Sequence, residues 1–186
     1  TDKKSSRKIK YKKIPRVHTF EKENQNMKVM NPVLPGFNPD PSLVRVGDDY
    51  YIATSTFEWF PGICIHHSKD LVNWEILSYA LTDETKFDIK GMDTACGIWA
   101  PNLTYDNGTF YLIYTIVYTN RNRFKDTHNF MVTASDPKGP WSDPIPLNKM
   151  GFDPSLFHDP DGTKWLVNML FDYRLDHKRF GGVGVQ

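Results

Sequence analysis

Apolar and polar residues alternate in short bursts along this chain, and no stretch repeats its apolar positions at helical spacing. Ser42–Val46, Tyr50–Ser55, Ile63–Ser68 and Trp74–Ser78 each read as a strand. Gly47-Asp48-Asp49, Phe60-Pro61-Gly62 and Lys69-Asp70-Leu71-Val72-Asn73 separate them as turns. A second series begins at Trp99, with Phe110–Ile116 as its strongest strand and Phe130–Ala134 as its third. The pattern predicts an all-β class.

The series also repeat as motifs. Asp40-Pro41-Ser42-Leu43 recurs as Asp153-Pro154-Ser155-Leu156, with an altered copy at Ala100-Pro101-Asn102-Leu103. Each copy leads through a Gly- and Asp-containing turn into an aromatic and aliphatic strand. From Pro41 to Pro101 is 60 residues and from Pro101 to Pro154 is 53. A period of this size made of short strands predicts a β-propeller with one blade per repeat. Propellers have roughly 4–8 blades, so the chain is read as about the first two and a half to three of them. Residues 31–186 form the N-terminal part of this incomplete domain, behind a leader of residues 1–30. A partial propeller leaves sheet faces uncovered, which predicts a C-terminal complement or association between copies.

Charge separates the leader from the rest. Residues 1–30 hold ten Lys and Arg against three Asp and Glu, whereas the remainder holds 13 against 19. Two readings are open, a basic arm for an anionic surface or a solvated, flexible leader. The mixture of Lys with Ser, Asn and Gln, without an aromatic platform to stack bases, favours the second, and no nucleic-acid partner is expected. No apolar run is long enough to span a membrane, so no membrane partner is expected. No signal peptide is visible either, which favours a bacterial cytoplasm over secretion and leaves localisation otherwise open. Cys64 and Cys96 fall in different repeats and read as buried thiols, with a disulfide as the alternative.

The first strand of every propeller blade lines the central channel, so equivalent residues of successive blades converge on one mouth. That places Asp40 and Asp153 across the mouth from one another. Each precedes a proline, which predicts an extended backbone for the aspartate. Asp-Pro is also ordinary turn chemistry. Two copies in register beside aromatic residues favour chemistry instead: paired carboxylates can deprotonate water and tune the protonation of a leaving oxygen. The aromatic residues are Thr56-Phe57-Glu58-Trp59-Phe60-Pro61-Gly62 and Gly97-Ile98-Trp99-Ala100-Pro101, whose rings suit the apolar face of a sugar. Trp74 and Trp141 close their repeats and read as packing between blades. His66 and His67 are adjacent on a strand and point to opposite faces, so no metal site is predicted. Asp159-Pro160-Asp161-Gly162 reads as a hairpin turn, not a calcium loop.

Gly36-Phe37-Asn38-Pro39-Asp40-Pro41-Ser42, Thr54 through Gly62, His66 through Trp74, Gly97 through Pro101 and Gly151 through Asp159 together resemble glycoside hydrolase family 43, in particular its β-xylosidases and α-L-arabinofuranosidases. The resemblance implies a five-bladed propeller that hydrolyses with inversion and needs no cofactor. Its substrate would be a xylo-oligosaccharide or arabinoside. It implies Asp40 as general base and Asp153 as the carboxylate that tunes the acid. Phe57, Trp99 and Phe152 would then contact the sugar. The family's general acid is a glutamate in a Glu-Gly-Pro-like motif, and no such motif occurs in this sequence. Glu58, Glu75 and Glu84 are the glutamates after the leader, and none stands at a blade start.

Overall fold

The computed structural model describes residues 29–121, 124–174, 176 and 180–186. The basic leader expected over residues 1–30 lies outside them except for Val29 and Met30. The described chain forms three antiparallel sheets. The first contains β1 (Ser42–Val46), β2 (Asp49–Thr54), β3 (Gly62–Ser68) and β4 (Glu75–Leu81), side by side in chain order. The second repeats that meander with β5 (Gly97–Asp106), β6 (Thr109–Thr119), β7 (Asp126–Ala134) and β8 (Ile145–Asn148). The third contains β9 (Ser155–His158), β10 (Lys164–Phe171) and β11 (Phe180–Val185). This is an all-β, partial propeller-like arrangement, with β5 touching both β1 and β9.

The motif copies occupy the same register in all three sheets. Ser42 pairs with Ala53, Asn102 with Ile113 and Ser155 with Val167, each two residues beyond the Asp or Ala of its motif. The core lies chiefly between the first two sheets: Ala53, Ile63 and Ile65 meet Ile98, Leu103, Leu112 and Val132. Phe87 and Ile89 join it from the connection between β4 and β5. Alternation turns Leu43 and Arg45 of β1 outward, while β6 is largely buried on both faces because it lies between neighbouring sheets.

Side chains from one inner strand hold the backbone of the next. Leu103 N–H donates to Ser42 Oγ at 2.9 Å, and Leu156 N–H donates to Asn102 Oδ1 at 2.9 Å. Ser42 and Asn102 are equivalent residues, as are Leu103 and Leu156, so the same stitch is made twice. Further out, His158 Nε2 lies 2.8 Å from Thr104 Oγ1, and Lys164 Nζ donates to Asp106 Oδ2 at 2.9 Å.

Trp141 packs against the core, as expected of a residue between blades, but Trp74 does not. Trp74 closes its own turn instead, donating from Nε1 to Leu71 O at 3.0 Å. The Asp70 side chain already ties that turn down by accepting from the Val72 and Asn73 N–H groups, so the ring completes a local structure. His66 is buried and His67 faces Asp49 and Glu75, on opposite faces of β3. Cys64 and Cys96 are buried free thiols. Asp159 to Gly162 is a turn closed by Gly162 N–H donating to Asp159 O.

The stitch is testable by removal. Ser42→Ala should leave the Leu103 N–H without its acceptor in a residue 1% exposed, at a cost of about 1–3 kcal/mol. The measurement is a lower urea midpoint at unchanged m-value. Ser42→Thr, which keeps the oxygen, should recover most of the loss.

Candidate active site

Asp40, Ala100 and Asp153 stand at the same end of the three inner strands, and each has a left-handed backbone, with φ of 53°, 33° and 53°. This corrects the extended conformation predicted for the aspartates. The proline that follows each one restricts it, but the chain must also swing sharply from its lead-in to the first strand residue, and positive φ makes that swing. A matching bond holds the lead-ins of the two aspartates. Ser55 N–H donates to Pro39 O at 3.1 Å, and Met169 N–H donates to Phe152 O at 3.1 Å.

The two carboxylates differ in what surrounds them. Ser55 Oγ donates to Asp40 Oδ2 at 2.6 Å and accepts from Ala100 N–H at 2.9 Å. One buried hydroxyl therefore ties the aspartate of the first sheet to the equivalent backbone position of the second. The residue equivalent to Ser55 beside Asp153 is Met169, which has no hydroxyl to offer. Partial desolvation pushes the Asp153 carboxyl above its ordinary value of 3.8, and the negative charge of Asp40 adds to the rise. Asp153 keeps part of its surface exposed, so that desolvation is incomplete.

An arc of rings runs beside the carboxylates. Phe57 lies 6.0 Å from Trp99 between ring centroids, and Trp99 lies 5.6 Å from Phe152. Each of these three comes from a different sheet or its lead-in, so the structure brings together the three aromatic residues singled out in the sequence. Phe37 extends the arc at one end, 5.8 Å from Phe57, and Phe171 at the other, 5.7 Å from Phe152. Lys125 Nζ sits 5.2 Å from the Trp99 ring centroid.

Local bonds fix the arc. Phe57 and Ile98 exchange backbone hydrogen bonds of 3.0 and 2.9 Å, and Trp99 Nε1 donates to Ala95 O at 3.0 Å. Gly97 makes the first contact possible, because a Cβ there would lie 2.2 Å from Phe57 O, at a φ of 87°. Glu58 accepts from Ala95 N–H at 3.2 Å, so this glutamate braces the loop that carries Trp99. Glu75 lies beside His67, on the strand farthest from β1. Neither joins Asp40 and Asp153.

Sequence reasoning missed Ser55, Phe37, Phe171 and Lys125. Phe37 lies inside a recognised motif. Ser55 lies inside one too, but its role depends on the register that places it behind Asp40, which the motif alone does not give.

Two carboxylates at equivalent ends of a sheet array, one restrained and one with a raised pKa, stand beside a strip of half-buried rings, an arrangement compatible with carbohydrate-hydrolase chemistry. The model of glycosyl hydrolases family 43 matches residues 29–185, and the chain belongs to that family. It is 58% identical over 158 residues to a xylosidase/arabinosidase 43B of Humicola insolens, covering 85% of this chain and 29% of that protein. A beta-xylosidase of Bacillus subtilis is 56% identical over 86% of this chain and 30% of its own length. Among solved structures, xylan beta-1,4-xylosidase from Bacillus halodurans C-125 superposes with a TM-score of 0.83 at 62% identity, over 86% of this chain and 30% of that one. The chain thus spans about 30% of the length of these relatives.

The electrostatic link between the aspartates predicts a measurable shift. Asp40→Asn should bring the Asp153 carboxyl down toward 3.8, read by carbon NMR of the side-chain carboxyl across a pH titration. In the unsubstituted chain, a raised carboxyl leaves stability intact below the ordinary value and lowers it as pH climbs through the raised one. Asp153→Asn should therefore flatten the stability profile in that window. An Asp153 titration unmoved by the Asp40 substitution would break the link.

Proposed function

We propose that this chain is the N-terminal part of a five-bladed, inverting exo-glycosidase that releases xylose or arabinose from xylan-derived oligosaccharides. The observation that carries the reading is the pair Asp40 and Asp153 at equivalent blade ends beside the arc of Phe57, Trp99 and Phe152. The relatives' names supply the substrate class: beta-xylosidase, xylosidase/arabinosidase and xylan beta-1,4-xylosidase.

In this reading Asp40 accepts a proton from water as the water attacks the anomeric carbon. Ser55 donates to one oxygen of Asp40, which fixes the carboxylate plane and leaves the other oxygen to face the water. Asp153 raises the pKa of the general acid through like-charge repulsion and orients the sugar. Its own carboxyl is pushed up first by partial burial and then by the negative charge of Asp40. The rings cover the apolar sugar face and exclude bulk water. The general acid, as the family resemblance implies, is a glutamate outside residues 1–186; of the glutamates after the leader, Glu58 braces the Trp99 loop, Glu75 lies beside His67 and Glu84 sits in the connection between β4 and β5.

A second reading follows from those committed glutamates. Residues 1–186 by themselves form a sugar-binding half-site that needs a C-terminal complement before it turns over.

The full-length gene product tests the first reading. Asp40→Ala should lower kcat on nitrophenyl β-xyloside or α-arabinofuranoside by about 10²–10⁴-fold, and proton NMR should show the inverted anomer as the first sugar released. Near-normal turnover in the variant, or retention at the anomeric centre, would sink the assignment. Inactivity of the 186-residue chain beside an active full-length control supports its standing as a half-site.

A further inference from the structure

Trp99, the central ring of the arc, takes its position from a turn that precedes it. Its Nε1 donates to Ala95 O, and Cys96 N–H donates to Asp93 O at 3.0 Å, so residues 93–96 form the bend on which the indole is hung. Thr94 and Ala95 in that bend are exposed, and Ala95 holds a left-handed backbone with φ of 63°. Apolar burial does not hold exposed residues in place. A strained non-glycine position persists only where its surroundings over-determine it. Polar ties from other parts of the chain therefore set where the bend sits, and with it where the indole sits.

One tie is Glu58, from the connection between β2 and β3, which accepts Ala95 N–H. The others come from the connection between β6 and β7. Arg121 donates from Nε to one oxygen of Asp93 and from Nη2 to the other. Asn120 Nδ2 shares Ala95 O with the indole at 3.4 Å, and Lys125 Nζ stands over the Trp99 ring. A guanidinium fork on both carboxylate oxygens fixes direction as well as distance, which a single point charge does not. Hydrogen bonding from Arg121 also holds the Asp93 carboxyl below its ordinary value of 3.8, so the pair stays charged at neutral pH.

We infer that Arg121 is a positioning residue for sugar binding: through Asp93 it fixes the bend that carries the Trp99 indole, and so it tunes how firmly the site holds its sugar. The inference rests on the reading of Trp99 as a wall of the sugar site. The side chains of Arg121 and Asp93 are 73% and 39% exposed. An ion pair so open to water adds little to the stability of the whole fold. Its effect is local. A ring held less firmly loses contact with the bound substrate and the transition state alike, which raises KM and leaves kcat unchanged.

The test uses the full-length gene product and nitrophenyl β-xyloside. Arg121→Ala should raise KM by about 2–5-fold, with kcat unchanged and the unfolding midpoint within about 2 °C of the parent. Asp93→Asn should do the same, and the double variant should add nothing to either single change. Arg121→Lys, which keeps the charge and loses the fork, should recover only part of the affinity. Fluorine NMR of fluorotryptophan-labelled enzyme reads the ring itself: the Trp99 signal, assigned by its loss in Trp99→Phe, should shift or broaden in Arg121→Ala while that of Trp74 stays in place. An unchanged KM in Arg121→Ala beside a raised KM in Trp99→Ala overturns the inference alone. An unchanged KM in Trp99→Ala overturns the sugar-wall reading and the inference with it. A fall in kcat and a large loss of stability in both Arg121→Ala and Asp93→Asn would make the pair a general structural contact and overturn the positioning role.

Discussion

One kind of hydrogen bond sets the geometry on which the candidate site depends. The side chain just after the proline of each motif accepts a backbone N–H from the neighbouring inner strand, as Ser42 does from Leu103 and Asn102 from Leu156. Hydrophobic burial presses the sheets together without specifying how far one slides along another. A hydrogen bond to a fixed backbone position does specify it. With Ser42 and Asn102 engaged, Asp40, Ala100 and Asp153 are brought to one level. Serine and asparagine both serve, because the stitch needs an acceptor oxygen of short reach rather than a particular side chain.

The register then allows a second layer of restraint. Ser55, at the end of β2, lies where a single hydroxyl reaches the Asp40 carboxylate and the Ala100 amide together. Asp40 and Ala100 both hold positive φ, a backbone that non-glycine residues seldom adopt and that costs of order 1–3 kcal/mol each. The hydroxyl helps to offset this strain at both positions. Alanine at position 100 has no carboxylate to compete for that hydroxyl, and its neighbour Trp99 supplies an aromatic surface in place of a third negative charge.

Much of this architecture was legible in the chain because it depends on local chemistry. β1 runs from Ser42 to Val46 as its alternation predicts, and β2, β3 and β4 fall within a few residues of their predicted bounds. Motif spacing placed Asp40 and Asp153 as equivalents, and the structure agrees. What escaped is what tertiary contact decides. β6 extends to Thr119 because Val117 and Thr119 pair with Thr127 and Asp126 of β7, which no count of alternating residues could show. Trp74 follows the same motif logic as Trp141, yet its turn captures it. The left-handed aspartates and Ser55 belong to the same class: proline rules describe a free peptide, whereas the lead-in here is held by a bond to β2.

The two-fold use of one motif explains why its two carboxylates are not alike. Equivalent backbone positions place Asp40 and Asp153 alike, but the second residue beyond Ala53 is Ser55, and its counterpart beyond Val167 is Met169. The hydroxyl gives Asp40 a hydrogen-bond donor that holds its carboxylate in place. The thioether gives Asp153 none, and the carboxylate across the mouth adds repulsion, so its proton is held more tightly. A symmetric pair of carboxylates would share their roles. A difference of one side chain behind each separates them: one carboxylate is held by a hydroxyl and the other is left without a donor.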